Sequence, residues 1–111
     1  MDFEVLKGGY LKIDINKENG VTVMRVAGSL DAESVAHFKK AANKIVEEGC
    51  YQLLVDCKTL DFIDSMGLGA MISLLRKVRM HQGDLKVAHL NPDVRSVFEI
   101  TRLDRLFEIL P

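Results

Sequence analysis

Polar and apolar residues alternate early in the chain, which is the pattern of a strand with one buried face. In YLKIDI (residues 10–15) every second residue is leucine or isoleucine, with charged residues between them. The following NKENG predicts a turn, because Asn19 and Gly20 tolerate positive φ. The next segment, VTVMRVAG (21–28), is apolar on both faces except at two positions, as expected for a more central strand. The two segments therefore predict a hairpin.

Three later segments space their apolar residues as helices do. In the first, Asp31 is the predicted N-cap and Gly49 ends the helix. The second begins after DFID and ends at Gly83, and the third has Asn91 as its cap and Pro92 at the first helical position. Around these helices the sequence predicts a buried strand at 51–57, a loop at 58–64, a strand at 85–90 and a short edge strand at 106–110.

The predicted order is β-β-α-β-α-β-α-β, an α/β fold. Residues 51–90 form a strand–helix–strand unit, so its two strands are predicted to be parallel with a right-handed crossover. We expect one mixed β-sheet with helices packed on it, mainly on one face, and a single domain over residues 1–111. Residues 1–9 are expected to form a loose or edge segment, because Gly8-Gly9 interrupts the pattern.

Composition excludes several classes of protein. Of the 111 residues 48% are hydrophobic and only two are proline, so the chain buries a core and is not disordered. The net charge of −1 provides no field that would attract nucleic acid or an anionic membrane. No apolar run approaches the roughly 20 residues that cross a bilayer, and MDFEVLKGGY lacks the features of a signal peptide. We expect a cytoplasmic protein, monomeric when free, that contacts neither nucleic acid nor membrane.

The two cysteines favour neither redox nor metal chemistry. Cys50 and Cys57 flank a predicted strand, which separates them by roughly 23 Å, too far for a disulfide. Two cysteines cannot build a structural zinc site by themselves, and no pair of histidines has H-x-x-x-H spacing. We expect buried or half-buried thiols, no metal and no cofactor.

The stretch DFIDSMGLGAMISLL (61–75) carries the candidate chemistry. It places Ser65 at the carboxyl end of a strand region and the N-terminus of a predicted helix, where open α/β sheets usually carry function. The serine could cap the helix, act as a nucleophile, hold a phosphate-bearing ligand or accept a phosphate.

Capping is the simplest of these four roles. Asp64 or Ser65 can accept a hydrogen bond from a first-turn N–H, an interaction worth about 1 kcal/mol. Capping does not explain Gly67 and Gly69, each of which costs up to about 1 kcal/mol relative to alanine in a helix. Glycines at these positions indicate close backbone approach, either inside the fold or by an outside partner.

A catalytic serine and a nucleotide site receive little support from the residues. The sequence I-D-S-M-G has Ile63 where the G-x-S-x-G elbow has its first glycine, and the positions of the three histidines nominate none as a base. A nucleotide site would need a full glycine fingerprint or a P-loop lysine, and Asp61 and Asp64 would repel a phosphate. We therefore expect no catalytic residue and no enzyme activity.

Phosphorylation of Ser65 is the fourth possibility. The helix dipole and free N–H groups favour negative charge at a helix N-terminus, whereas Asp61 and Asp64 repel it. A phosphate adds about −1.5 to −2 charges, enough to change a small surface. Met66 is expected to project outward as an adaptable partner contact, so a phosphate beside it would disrupt docking. On the residues alone, capping and switching both stay open.

The segment LDFIDSMGLG, with VAGSLD upstream and the element order above, resembles the STAS domain of bacterial anti-sigma factor antagonists. The resemblance runs from about Tyr10 to Leu110. It implies that Ser65 is phosphorylated by a cognate anti-sigma factor that is an ATP-dependent serine kinase. In such a system the unphosphorylated antagonist binds the anti-sigma factor and frees the sigma factor. The phosphorylated form does not bind, and a serine phosphatase resets it.

The resemblance also implies partner-binding positions. Asp64 is the electrostatic and capping neighbour of Ser65, and Gly67 is the close-approach position. Met66 meets the kinase, although family members commonly carry a second serine or threonine there. Asp31, in the GSLD turn, maps to the other partner-facing loop and is also a helix-cap candidate. The alternative is a STAS module that senses or scaffolds, in a larger signalling assembly or beside a transporter, with Ser65 only a cap.

Overall fold

One β-sheet carries a layer of α-helices in the computed structural model, which describes residues 5, 6 and 9–111. The elements are β1 (Val5–Leu6), β2 (Gly9–Glu18), β3 (Val21–Leu30), α1 (Val35–Glu47), β4 (Gln52–Ile63), α2 (Ser65–Arg79), β5 (Asp84–Ala88), α3 (Pro92–Ile100), a 3₁₀ turn (Leu103–Arg105) and β6 (Glu108–Leu110). The predicted order β-β-α-β-α-β-α-β is confirmed from β2 onward.

The short strand β1 adds an edge to this predicted sheet. It pairs antiparallel with the start of β2, through Val5 opposite Tyr10 and Leu6 opposite Gly9. The expectation of a loose or edge segment at 1–9 thus resolves into an edge strand at residues 5 and 6, with Gly9 already in β2. The rest of that expectation, at residues 1–4, 7 and 8, lies outside the described residues.

The spatial order of the strands follows the chain from β1 to β6. The first three strands are antiparallel neighbours, and β3 to β6 are parallel neighbours joined in turn by α1, α2 and α3. The predicted parallel unit across residues 51–90 is therefore confirmed. Successive right-handed crossovers that advance in one direction place all their helices on the same face of the sheet.

The hydrophobic core lies between that face and the helices. Alternate residues of β4 and β5 point into it, and all three helices contribute buried side chains to the same cluster. Its fully buried members include Met24, Phe38, Val55, Leu75, Val87 and Phe98. No helix in the described part of the chain is long and apolar enough to cross a membrane.

The second half of β4 corrects the predicted loop at 58–64, because the strand continues to Ile63. Residues beyond Asp56 pair with the end of β3 across two register shifts, one between Arg25 and Ala27 and one between Gly28 and Ser29. A bulge breaks the two-residue alternation, so buried residues fall three apart in this part of the strand. That spacing is why the segment does not look like a strand in the sequence.

The predicted cap of the first helix is also wrong. Helix α1 begins at Val35, four residues after Asp31, with Ser34 in the flanking position. The Asp31 carboxylate instead accepts hydrogen bonds from the N–H groups of Glu33 (3.0 Å) and Ser34 (3.1 Å), and so closes a turn before the helix. The prediction for α3 is confirmed: the Asn91 side chain accepts from the N–H of Val94 at 2.8 Å.

Both cysteines are free thiols, as expected. Cys50 is half-buried and Cys57 is buried. Burial, together with the nearby Asp56 carboxylate, raises the pKa of Cys57 to about 12, so this thiol stays protonated at physiological pH.

The open face of the sheet carries charged side chains centred on Asp56. One oxygen of its carboxylate lies 3.0 Å from His89 Nδ1 and 3.1 Å from the N–H of Lys58, and the other lies 3.5 Å from Arg25 Nε. Partial burial of the Asp56 carboxylate raises its pKa. The hydrogen bonds from His89 and Lys58, together with the charges of His89 and Arg25, lower the pKa by more than burial raises it. The net pKa lies below its usual value of 3.8.

This lowered pKa predicts an acid-dependent loss of stability. A carboxyl with a lower pKa in the folded chain stabilises the fold above its unfolded pKa and loses that contribution as pH falls through the folded pKa. In urea unfolding, the wild type should be more stable than Asp56→Asn at about pH 7, and the difference should shrink below about pH 4. Asp104→Asn, which removes an exposed carboxylate elsewhere, should leave the wild-type pH profile unchanged. Parallel profiles for the wild type and Asp56→Asn would contradict this assignment.

Candidate functional site

The junction between β4 and α2 is a single residue, Asp64. Ile63 is buried at the end of the strand, and the N–H of Asp64 donates to the carbonyl of Leu30 at 3.2 Å. Ser65 is exposed and is the first residue of the helix. The predicted location of Ser65, at a strand's carboxyl end and a helix N-terminus, is therefore confirmed.

Asp64 caps α2 and connects it to a second loop. Its Oδ1 accepts from the N–H of Gly67 at 3.0 Å, which is the N-cap interaction. Its Oδ2 accepts from the N–H of Ala32, also at 3.0 Å, in the turn between β3 and α1. Of the two cap candidates the structure selects Asp64, and the Ser65 side chain makes no hydrogen bond to any residue that the structure describes.

The turn held by Asp64 is the one that Asp31 closes. Asp31 is buried, with 8% of its surface exposed, and its carboxylate binds its own turn. The Ser34 hydroxyl donates to the carbonyl of Ser29 at 2.7 Å and fixes the other side of the turn. The structure thus brings Asp31 and Asp64 to one corner of the molecule. At this corner the exposed residues of the turn are Ala32 and Glu33.

The two glycines of α2 have different surroundings. Gly67 is buried, and a Cβ there would lie 2.8 Å from Leu30 Cγ and 2.9 Å from Ile63 Cγ1, with the Leu30 carbonyl closer still. Close approach at Gly67 is thus internal: the helix start lies directly against β3 and β4. A Cβ at Gly69 would meet nothing within 4 Å, and Gly69 is exposed.

Two residues near Ser65 in the chain expose large apolar side chains. Met66 is 49% exposed, as its predicted outward orientation requires, and Phe62 is 52% exposed. Their neighbours Leu60, Ile63 and Leu68 are buried. We call Phe62, Ser65, Met66 and Gly69 the Ser65 surface.

Phe62 is the site residue that the sequence patterns do not single out. Because residues 58–64 are predicted to be a loop, the sequence does not indicate the strand that orients the Phe62 ring. Within a strand, adjacent residues point to opposite faces, so buried Ile63 places Phe62 outward. Assigning β4 to its full length would identify this exposed ring.

The charge around Ser65 is negative. Asp61, Glu33 and Asp93 are exposed at this end of the molecule, while the basic residues of α2 lie in its last turn. Of the histidines, His89 contacts Asp56 and His81 stacks on Tyr51 with ring centroids 4.1 Å apart. No group of three or more potential metal ligands occurs within the described ranges.

Fold and site together define a small α/β module that presents an exposed serine at the start of the helix after a central parallel strand. The chain belongs to the STAS domain family, whose model matches residues 12–111. A curated relative, the anti-sigma F factor antagonist of Paenibacillus polymyxa, is 26% identical over 102 residues, which are 91% of this chain and 85% of the relative. The predicted resemblance is confirmed at the level of the family.

Solved structures with this fold include two regulators. An anti-sigma factor antagonist from Mycobacterium paratuberculosis has a TM-score of 0.83 at 24% identity, with 91% of this chain and 86% of that one covered. The Bacillus cell fate determinant SpoIIAA in its phosphorylated form has a TM-score of 0.70 at 20% identity, with 88% and 90% covered. At these identities the likenesses show the fold.

The surroundings of the two glycines predict opposite effects of the same substitution. Gly67→Ala should lower the free energy of unfolding by roughly 1–3 kcal/mol, because the methyl group overlaps the Leu30 backbone and side chain. Gly69→Ala should raise it by up to about 1 kcal/mol, because alanine is the better helix former and the space is open. Urea unfolding of both variants measures this difference. Equal changes in the two variants would contradict the internal packing role of Gly67.

Proposed function

We propose that the protein is an anti-sigma factor antagonist that is switched off by phosphorylation of Ser65. The observation that carries this proposal is that different residues cap α2 and expose a hydroxyl at its start. Asp64 supplies the cap, which leaves the exposed Ser65 hydroxyl without a structural partner among the described residues. This weakens the alternative of a scaffold in which Ser65 only caps the helix. The names of the curated relatives support the general role.

The proposed modification is a phosphoryl transfer from ATP. Ser65 Oγ attacks the γ-phosphorus, a new O–P bond forms, and the bond to the β,γ-bridging oxygen breaks, releasing ADP. The hydroxyl proton passes to a base of the kinase, since no side chain of the described residues is hydrogen-bonded to Ser65. A serine phosphatase reverses the state by transferring the phosphoryl group to water. We place this cycle in the cytoplasm, where ATP is available.

The modified protein should keep its fold. Ser65 is exposed, so a phosphate displaces no buried group. The first N–H groups of a helix have no intrahelical acceptor, and Asp64 occupies only that of Gly67, leaving those of Ser65 and Met66 for the phosphate. The helix dipole adds to this attraction, while repulsion from Asp64 opposes it.

The partner should contact both loops that Asp64 joins. Met66 and Phe62 offer apolar contacts on either side of Ser65, and Gly69 lets a partner backbone approach the helix closely. Asp31 and Gly67 act by shaping the backbone, since one is buried in its turn and the other against Leu30. A phosphate on Ser65, beside these apolar contacts, would have to lose water when the partner docks.

Transfer of phosphate to Ser65 is the direct test. The host's anti-sigma factor kinases are purified and incubated one by one with ATP and this protein, followed by intact-mass measurement and phosphosite mapping. We expect one added phosphate on the wild type and on Ser73→Ala, an exposed serine two turns further along α2, and none on Ser65→Ala. Modification at another serine would contradict the proposal. So would the absence of modification by kinases that are active on their own antagonists in the same assay.

Charge at position 65 should by itself weaken binding. Ser65→Asp introduces a carboxylate at the exposed start of α2. Because this charge would have to lose water when the partner docks, we expect the dissociation constant for the kinase to rise at least about tenfold, which corresponds to about 1.4 kcal/mol. Ser65→Asn has nearly the same shape without the charge and should bind within a few-fold of wild type. Isothermal titration calorimetry measures both. Equal losses in the two variants would assign the effect to size instead of charge.

A further inference from the structure

A shallow groove lies beside Ser65, between the end of β4 and α3. It has a volume of about 230 Å³ and is lined by Asp61, Phe62, Ile63, Asp93, Val94 and Val97; we call it the acidic groove. Because β4 is the sheet neighbour of both β3 and β5, the Asp64–Ala32 corner lies on one side of β4 and α3 lies on the other.

The acidic groove exists because β5 is much shorter than β4. Pairing between the two strands ends at Asp56 opposite Ala88, so the last residues of β4 have no strand neighbour on that side. Helix α3 covers this region, and the Asn91 side chain donates to the carbonyl of Leu60 at 2.9 Å. The helix does not fill the space above Asp61 and Phe62, and the remaining gap forms the groove.

The floor and the rim of the acidic groove differ in chemistry. Ile63 and Val94 are buried and Val97 is half-buried, so the floor is aliphatic. The rim carries two exposed carboxylates, Asp61 from β4 and Asp93 from α3. Neither carboxylate forms an ion pair with any residue that the structure describes.

We propose that the acidic groove binds a basic segment of the same anti-sigma factor kinase, one that inserts an aliphatic side chain between two lysines or arginines. This inference rests on the proposed function. The groove has two unpaired carboxylates around an apolar floor, which complement a partner segment with an apolar side chain between two cationic side chains. The same carboxylates repel an acidic segment. Phe62 lines the groove and also belongs to the Ser65 surface, so the two regions are adjacent and one partner can contact both.

The acidic groove then has a role distinct from the switch. The groove contact, which does not include Ser65, determines which kinase docks. The phosphorylation state of Ser65 then determines whether the docked complex is stable. Exposed carboxylates steer association more than they hold the complex, so their contribution should appear mainly in the association rate and depend on salt. Phe62, an aromatic anchor at the groove's edge, should contribute at all salt concentrations.

The test measures binding kinetics of the kinase that phosphorylates Ser65. In Asp61→Asn/Asp93→Asn we expect the dissociation constant to rise about tenfold at about 50 mM salt, mostly through a slower association rate, and the effect to fade by about 0.5 M. The matched control is Glu99→Gln/Asp104→Asn, which removes two exposed carboxylates outside the groove and should bind as wild type does. Phe62→Ala should weaken binding about tenfold or more at both salt concentrations. Thermal unfolding of each variant confirms that the fold is intact.

Failure of the inference is distinguishable from failure of the proposed function. If the wild type is bound and phosphorylated on Ser65, and the groove variant binds as tightly as its control, only the acidic groove assignment is overturned. That assignment is also overturned if the wild type forms a dimer that Phe62→Ala dissociates, since the occupant is then a second copy. If no kinase binds or phosphorylates the wild type, the proposed function falls, and this inference falls with it.

Discussion

The arrangement of the Ser65 surface depends on one carboxylate that binds two loops. Each oxygen of Asp64 accepts a hydrogen bond at 3.0 Å, one from the helix that begins at Ser65 and one from the turn that Asp31 closes. Hydrogen bonds to an ionised acceptor are roughly twice as strong as neutral ones. The two loops follow different strands and belong to segments 32 residues apart in the chain. This pair of bonds therefore joins two independently connected loops into one surface.

Packing beneath Asp64 supplies the second constraint. Because Gly67 has no side chain, the first turn of α2 lies directly on Leu30 and Ile63, the last residues of two neighbouring parallel strands. That contact fixes the height of the helix start above the sheet edge, and the cap fixes its direction. Ser65 then has to point away from the core, since the residues on the inner side of this turn already fill it.

Local patterns in the sequence are enough to predict the regular parts of the fold. The alternation in β2, the helical spacing in α2 and the Asn91-Pro92 start of α3 each reflect residues within a few positions of one another. The sequence does not show the extent of β4, because its second half pairs with β3 across two register shifts at which β4 carries an extra residue, and these interrupt its alternation of buried and exposed positions. For the same reason the sequence does not identify Phe62 as an exposed site residue. The predicted helix-cap role of Asp31 is wrong because an aspartate that closes a turn and one that caps a helix have the same local sequence.

The magnitudes indicate how the proposed phosphorylation of Ser65 would control docking without altering the fold. Burying about 100 Å² of apolar surface from Phe62 and Met66 against a partner would contribute about 2.5 kcal/mol. Removing a charged group from water without a matched partner costs several kcal/mol, and the proposed phosphate on Ser65 would meet the docking partner beside these contacts. Under the proposed function, this penalty would exceed the local apolar gain and weaken binding. In the free protein the same phosphate would stay hydrated at a helix N-terminus, where its charge is favourable. The cost arises only when a partner approaches, which is the condition for a switch that leaves the folded domain unchanged.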